Sequence, residues 1–557
     1  MLTIVLNWIY VVFTTFCIGF AFAQFVEKVF KYKMKRVDSI LTAGLISVTV
    51  YAQFFSLFHK VGLLANVIML AVCLVIAIVM RKSLFFYVKT ALHETTTIRK
   101  VVIVILFFVW SYFSSRGYMV YDTNLYHGQS IRWIEEYGVV KGLGNLHERF
   151  AYNSSVFCLT ALYSMKFLLG RSMHCMTGYV AFLMSVTVLD VAKGFKRKKL
   201  LLSDYASIGL IYYLTTLCNE IISPSSDYLS MSMVFYIIIK WLRQVEKDKE
   251  QDELVPYSLL CVCGVYALSA KVTAGLILIL LLKPAYLLLK QKKWRDILLY
   301  LSMGIIVAAP WLIRTVVISG WLFYPFPALD LFSFDWKMTK VAYIQADADQ
   351  VKTWARGLYA IGYVDLPITE WFGNWFVTQL TATEKLLVLA DIFGCIFTIC
   401  YGLWILVKKK WRSKDTFLVL LTLTCSYLYW QFSAPMVRYG YAYILLVAAI
   451  TAGLIIENFK FARVVHIAIL IYGAYKLLVC GNYMASCMLL PYYVWQETYE
   501  VYPAEEIYTY EVDGVTIYAP MYGDQIGYEY FPASTEIKND IELRGDGLED
   551  GFRLKEQ

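Results

Sequence analysis

Charge is scarce in this chain. Asp, Glu, Lys and Arg make up 17% of its 557 residues, against about a quarter in an ordinary soluble domain. A soluble multidomain reading is therefore set aside in favour of a bilayer. The polar loops are almost free of cysteine: the twelve cysteines lie in or beside apolar runs, and CVC at 261–263 lacks the spacing of a zinc site. The first apolar run, 3–26, has neither a basic leader nor an Ala-x-Ala-like cleavage site, so it reads as a first membrane helix and not as a removed signal. No internal repeat of broken spans is visible, which counts against a transporter built from two halves.

What the chain has in abundance is apolar surface, with 59% hydrophobic and 17% aromatic residues. Apolar runs fall at 3–26, 38–58, 62–80, 99–118, 173–191, 202–218, 228–243, 255–269, 271–289, 297–318, 380–406, 416–432, 437–456 and 462–485. They predict an all-α polytopic membrane protein with about fourteen transmembrane helices. Lys271 and Gly275 interrupt 255–289, which reads as a bent pair. Basic clusters stand between the runs: KVFKYKMKR at 28–36, KGFKRKK at 193–199, KQKKWR at 290–295 and KKKWRSK at 408–414. Their position fits cytoplasmic loops under the positive-inside rule and not a nucleic-acid footprint. Setting them inside places the loops 119–172 and 319–378, and the C-terminus, on the outer face. Residues 152–169 would break the alternation if they crossed, so they are expected to lie as a juxtamembrane helix.

Three parts follow: N-terminal transmembrane helices over 1–98, a transmembrane core with its outer loops over 99–485, and an acidic segment over 486–557. Residues 491–557 hold fifteen Asp and Glu against four Lys and Arg. PYYVWQETYEVYP at 491–503 suits an interfacial aromatic belt. The alternation in GVTIYAPMYG at 514–523 predicts a strand and a turn, and RGDGLEDGF at 544–552 reads as glycine-held turns.

Chemistry is expected where polar groups meet the membrane edge, because ionisable side chains at depth are costly. YDTNLYHGQSIRWIEE at 121–136 follows the oily VVIVILFFVW at 101–110. Asp122 opens that loop, Asp227 sits in NEIISPSSDYLS, Lys271 starts its apolar run, Arg314 lies near one helix end, and Arg438 lies in SAPMVRYGYAY. Each also has a plain structural reading. Asp227 suits the first turn of a helix. Arg314 and Arg438 suit snorkelling anchors. Glu135 and Glu136 suit the wet face of an amphipathic helix over 125–137. Together, two carboxylates and two or three cations fit a lipid-phosphate donor: arginine or lysine grips the phosphate, and a carboxylate takes the proton of an attacking hydroxyl.

These residues resemble the GT-C superfamily of polytopic membrane glycosyltransferases. Asp122 and Tyr126 match the Asp and Tyr of that family's Asp-Glu-x-x-Tyr motif, with Thr123 at the second acid. AYNSSVFCLTALYSMKFLLG at 151–170 aligns with its interfacial segment, with Asn153 near the place of the prolines. Asp227 corresponds to its second outer acid. IELRGDGLEDGFRLKE and DTNLYHGQSIRWIEEYGVVKGLGNLHERF also resemble a set of bacterial envelope membrane proteins. The resemblance implies a GT-C-like core and transfer of a sugar from a polyprenyl-phosphate or pyrophosphate carrier to a glycan, lipid or protein acceptor. It implies the cell inner membrane as location, with the active face and C-terminus periplasmic. Asp122 and Asp227 are the expected catalytic acids, and Tyr126, His127, Glu135, Asn153, Lys271, Arg314 and Arg438 the expected substrate or phosphate contacts. No tight metal site and no other cofactor is expected, although Asp122, Asp227 and His127 are a donor set for Mg or Mn. The alternatives are an O-antigen polymerase or ligase, a lipid-linked sugar transporter or flippase, and a non-catalytic envelope assembly protein. The first is disfavoured because 319–378 contains Arg356 but no histidine.

Overall fold

The structure is a computed structural model that describes the chain apart from residues 248–252, 325, 327, 340, 410–412, 458–461, 488–492, 498 and 556–557. The centre of KKKWRSK and the start of PYYVWQETYEVYP thus lie outside the described residues. Each of the apolar runs forms helix. Among the described residues, eight helices are long and apolar enough to cross a bilayer, or nine if one bent pair is a single span. The chain is a multi-pass, mostly helical membrane protein with a small C-terminal β region.

The difference from about fourteen expected spans has physical causes. A crossing needs roughly 20 residues of helix. Thr97–Phe113 and Leu254–Ala270 have 17 residues each, and Leu202–Thr216 has 15. Ser226–Lys247 and Lys414–Ser433 are long enough but carry several charged or hydroxyl side chains. Leu63–Val79 meets Arg81–Glu94 at an 83° bend. Residues 152–169 are too short to cross: the helix Ser155–Leu162 stops where Met165 takes a left-handed conformation at φ 55°. Its eight residues are all buried in the protein, so it is packed among its neighbours.

Helices pack through small residues and side-chain hydrogen bonds, as expected where lipid supplies no hydrophobic drive between them. Leu2–Phe30 crosses Val37–Ser56 at Gly19 and Gly44. A Cβ on Gly19 would sit 2.0 Å from the Ile40 carbonyl oxygen, and one on Gly44 would sit 1.8 Å from that of Thr15. The Thr14 hydroxyl bonds Tyr163 Oη at 2.7 Å and the Thr15 hydroxyl bonds Tyr179 Oη at 2.8 Å. Leu254–Ala270 and the 3-10 helix Val272–Leu281 form a hairpin, with Gly264 against Leu278 and Gly275 against Leu268. Lys271 is its one-residue tip, in extended conformation (φ −154°, ψ 125°).

The C-terminal segment forms two antiparallel ribbons, β1 (Ile507–Val512) with β2 (Val515–Pro520), and β3 (Ile541–Leu543) with β4 (Phe552–Leu554). The strand expected within 514–523 is β2. These ribbons share one apolar core with both large loops, where Ile517, Leu543 and Phe552 meet Trp133, Leu146, Trp321 and Met338. The tail therefore packs on the loops and does not stand apart.

The Gly44 contact is testable by thermal unfolding in detergent. Gly44→Leu is expected to lower the melting temperature strongly, since overpacking costs about 1–3 kcal/mol even where side chains can shift and here the obstacle is backbone. Gly481→Ala, inside the helix Ala462–Cys487 with no atom within 4 Å of the added carbon, is expected not to lower it and to raise it slightly, since alanine favours helix over glycine.

Candidate functional site

Four chain segments deliver the charged groups of the site. Asp122 precedes a five-residue π-helical turn, Thr123–His127, a local widening that frequently marks functional sites. Asp227 lies in the first turn of Ser226–Lys247, where the helix dipole favours a negative charge. Ser225 Oγ donates to its carboxylate at 3.3 Å. Lys271 comes from the hairpin tip. Arg438 is the second residue of Val437–Ile456, where the dipole disfavours a cation by about 0.3–1 kcal/mol.

That penalty is offset by two carboxylates. One terminal nitrogen of Arg438 bonds Asp122 Oδ2, and Arg438 Nε stands 3.3 Å from Asp227 Oδ2. Lys271 Nζ bonds the other oxygen of Asp227 and lies 3.7 Å from the centre of the Tyr439 ring. The order is thus Asp122, Arg438, Asp227, Lys271. Asp227 is the least accessible member, at 4%, whereas Asp122 is 15%, Arg438 17% and Lys271 22% accessible. The cluster has a closed floor and an open side. Burial pushes the Asp122 carboxyl up, but Arg438 first, then His127, Arg149 and Lys271, outweigh it and hold the group below the usual carboxylate range. Among the described residues no three His, Cys, Asp or Glu side chains converge as metal ligands; a guanidinium bridges the two acids instead.

The other expected residues divide. Tyr126 and His127 flank Asp122, with ring centres 4.4 Å apart, and His127 packs on Phe157 at 5.3 Å. Burial, against the pull of Asp122 and Asp227, holds the His127 imidazole down to about 4. Glu135 is engaged by the tail: it accepts from Ser172 Oγ at 2.6 Å and from the Tyr528 hydroxyl. Burial pushes its carboxyl up. Asn153 and Arg314 form a separate pair, Arg314 Nε donating to Asn153 Oδ1 at 3.2 Å. Among the described residues neither shares a hydrogen bond or ion pair with the Asp122 cluster.

Sequence reasoning missed Arg149, Asp347, Tyr152 and Tyr439. Arg149 lies 3.9 Å from Asp122 and 3.3 Å from Asp347, which also accepts from Tyr152 Oη at 2.6 Å. Only Tyr439 carried a signal, as the neighbour of Arg438. Asp347 and Arg149 are nearly 200 residues apart (|i−j| 198) and nothing local marks either.

The fold and this site define a polytopic helical membrane protein whose ion cluster sits at helix ends. More particularly, the chain belongs to the family described as Domain of unknown function (DUF8201), whose model matches residues 1–445. The matched span contains Asp122, Asp227, Lys271 and Arg438. No curated protein matches the chain.

Acid is expected to destabilise the protein. A free imidazole titrates near 6.5, whereas burial holds His127 down to about 4 and His174 down to about 3. Above the free value neither folded nor unfolded chain binds the proton. Below it the unfolded chain does and the folded chain does not, so stability falls from about pH 6.5 towards 4, by of order 3 kcal/mol per histidine. Melting temperatures in detergent from pH 7 to pH 4.5 check this, and His174→Gln is expected to flatten the decline.

Proposed function

We propose that the protein transfers a sugar from a polyprenyl-phosphate or pyrophosphate carrier to a glycan, lipid or protein acceptor at the outer face of the cytoplasmic membrane, with a GT-C-like organisation of its core. One observation carries the reading: a pair of carboxylates shares an arginine, with a lysine beside them, at helix ends bordering an apolar layer and with one side open. Arg438 and Lys271 are the cations for the donor phosphate. They are held ready by Asp227 and Asp122, which together balance their two charges until an anion arrives. A phosphate oxygen competing for Arg438 loosens its bond to Asp122. The freed carboxylate accepts the proton of the acceptor hydroxyl as that oxygen attacks the anomeric carbon. The bond from anomeric carbon to phosphate oxygen breaks, its electron pair stays on the phosphate, and the configuration inverts. Tyr126 and Tyr439 give the sugar ring aromatic surface, and Arg149 limits where Asp122 can turn. Glu135 and Arg314 take no part.

The test is mass spectrometry of lipid-linked sugars and envelope glycans from cells lacking the gene and complemented with wild type or Asp122→Asn. Asparagine keeps the size of the side chain but cannot accept the proton. The variant is expected at normal protein level with product reduced about 10²–10⁴-fold, the usual contribution of a general base, and with donor accumulating. Unchanged product formation by Asp122→Asn would remove the base, and accumulation of the intact lipid-linked sugar on the cytoplasmic side of the membrane would mark a flippase.

A further inference from the structure

Arg314 is a buried cation without a counter-charge. It is 2% exposed, and among the described residues it enters no ion pair. Its neighbours are neutral: Nε donates to Asn153 Oδ1 at 3.2 Å, and one terminal nitrogen donates to Ser56 Oγ at 2.6 Å and to the Gly138 carbonyl at 3.4 Å. The other terminal nitrogen has no hydrogen bond among the described residues. Burying an unpaired charge costs several kcal/mol. Arg314 lines a cavity together with Ser130, Trp133, Asn153 and Phe157. Two of these carry buried groups with no partner, Trp133 Nε1 and Ser130 Oγ. Trp133 is 1% and Ser130 7% exposed. The indole N–H and the guanidinium can only donate, and the hydroxyl can. The rest of the wall is mostly apolar, with Ile134, Val139, Val140, Leu143, Phe150 and Ile318, and a positive charge with two unpartnered donors in an apolar wall is complementary to an anion. Its interior is small, with room for about one water-sized body, which favours a compact anion over a phosphate headgroup.

We infer that this cavity is a binding site for a small monoatomic anion of the chloride class, between the Gly128–Glu136 helix and the Trp294–Ser319 helix. Such an ion would neutralise Arg314 where those helices meet, separately from the Asp122 cluster and irrespective of the proposed transfer reaction.

The experiment is thermal unfolding of the full-length protein in detergent, with sodium chloride, bromide, phosphate or gluconate titrated at constant ionic strength. Chloride and bromide are expected to raise the melting temperature saturably, with no rise in phosphate or gluconate. Arg314→Gln is expected to abolish the response. Should that variant not fold, Trp133→Phe keeps an aromatic six-membered ring and removes the N–H, and is expected to weaken the apparent halide affinity roughly tenfold, the worth of one charge-assisted hydrogen bond. Superimposable curves in chloride and gluconate, an equal response to phosphate, or an unchanged halide affinity in Trp133→Phe would each overturn the inference.

Discussion

The polar face of this molecule is organised about one guanidinium. Arg438 touches Asp122 and Asp227, residues 316 positions before it in the first case, and so locks the first large loop to two helices of the bundle. Without it two carboxylates would face each other across a desolvated floor. Removing one partner of a buried ion pair typically costs 3–5 kcal/mol because the remaining charge is left uncompensated. The arginine is kept at a helix N-terminus, the end where the dipole opposes it, and the arrangement holds only because both acids and the Tyr439 ring surround it. A purely structural anchor would sit more favourably at the other helix end.

A second ionic layer balances the first. Lys240 bonds Asp38 Oδ2 at 2.7 Å, Arg36 Nε lies 3.0 Å from Asp38 Oδ1, and Arg99 and Arg243 reach Asp190 at 2.8 and 3.4 Å. Asp227 and Lys240 lie on the same helix, Ser226–Lys247, thirteen residues and so about 20 Å apart. The apolar core lies between these layers. The tail then fixes the loop from above. Ile526 and Gly527 donate their backbone N–H groups to the Asn124 carbonyl at 3.1 and 2.9 Å. Gln129 Nε2 donates to the carbonyls of Gly527 and Tyr530. The π-helical turn that follows Asp122 is therefore held from the membrane side by Arg438 and from the loop side by the C-terminal segment.

Much of this was legible in the sequence, for a physical reason: apolar runs bounded by charges specify helices whatever their partners. What could not be read was which helices are long enough to cross, because hydropathy does not register where a helix stops. Met165 in a left-handed turn and the extended backbone at Lys271 are such stops, and the second turns an uncertain bent span into a hairpin that delivers a lysine. Asp122, Asp227, Lys271 and Arg438 were legible because a charge beside an apolar run is conspicuous. Glu135 was conspicuous for the same reason, yet its partners are Ser172 and Tyr528, the second almost 400 residues away in a tail with no local signal. The plain reading of Asp227 as a first-turn acid and the functional one are both compatible with its place, since the first turn that suits its charge also brings it within 3.3 Å of Arg438 Nε. Arg149 and Asp347 lie in polar stretches where charge is ordinary, and only the fold brings them to Asp122.

In the proposed reaction, the division of roles within the pair rests on accessibility and partner count. Asp227 is 4% exposed and touches both Arg438 and Lys271, whereas Asp122 is 15% exposed and is shared by Arg438 and, at 3.9 Å, Arg149. A lipid phosphate entering from the open side would meet Lys271 and Arg438 before it met Asp227. An anion that binds Arg438 shares the attraction of that one positive charge with Asp122, so the hold on the carboxylate weakens as the phosphate arrives. In the proposed reaction, then, the donor itself raises the basicity of Asp122 by drawing off the cation that held its carboxyl low. In the same proposed reaction Asp227 keeps its ion pair with Lys271 on the floor of the cluster.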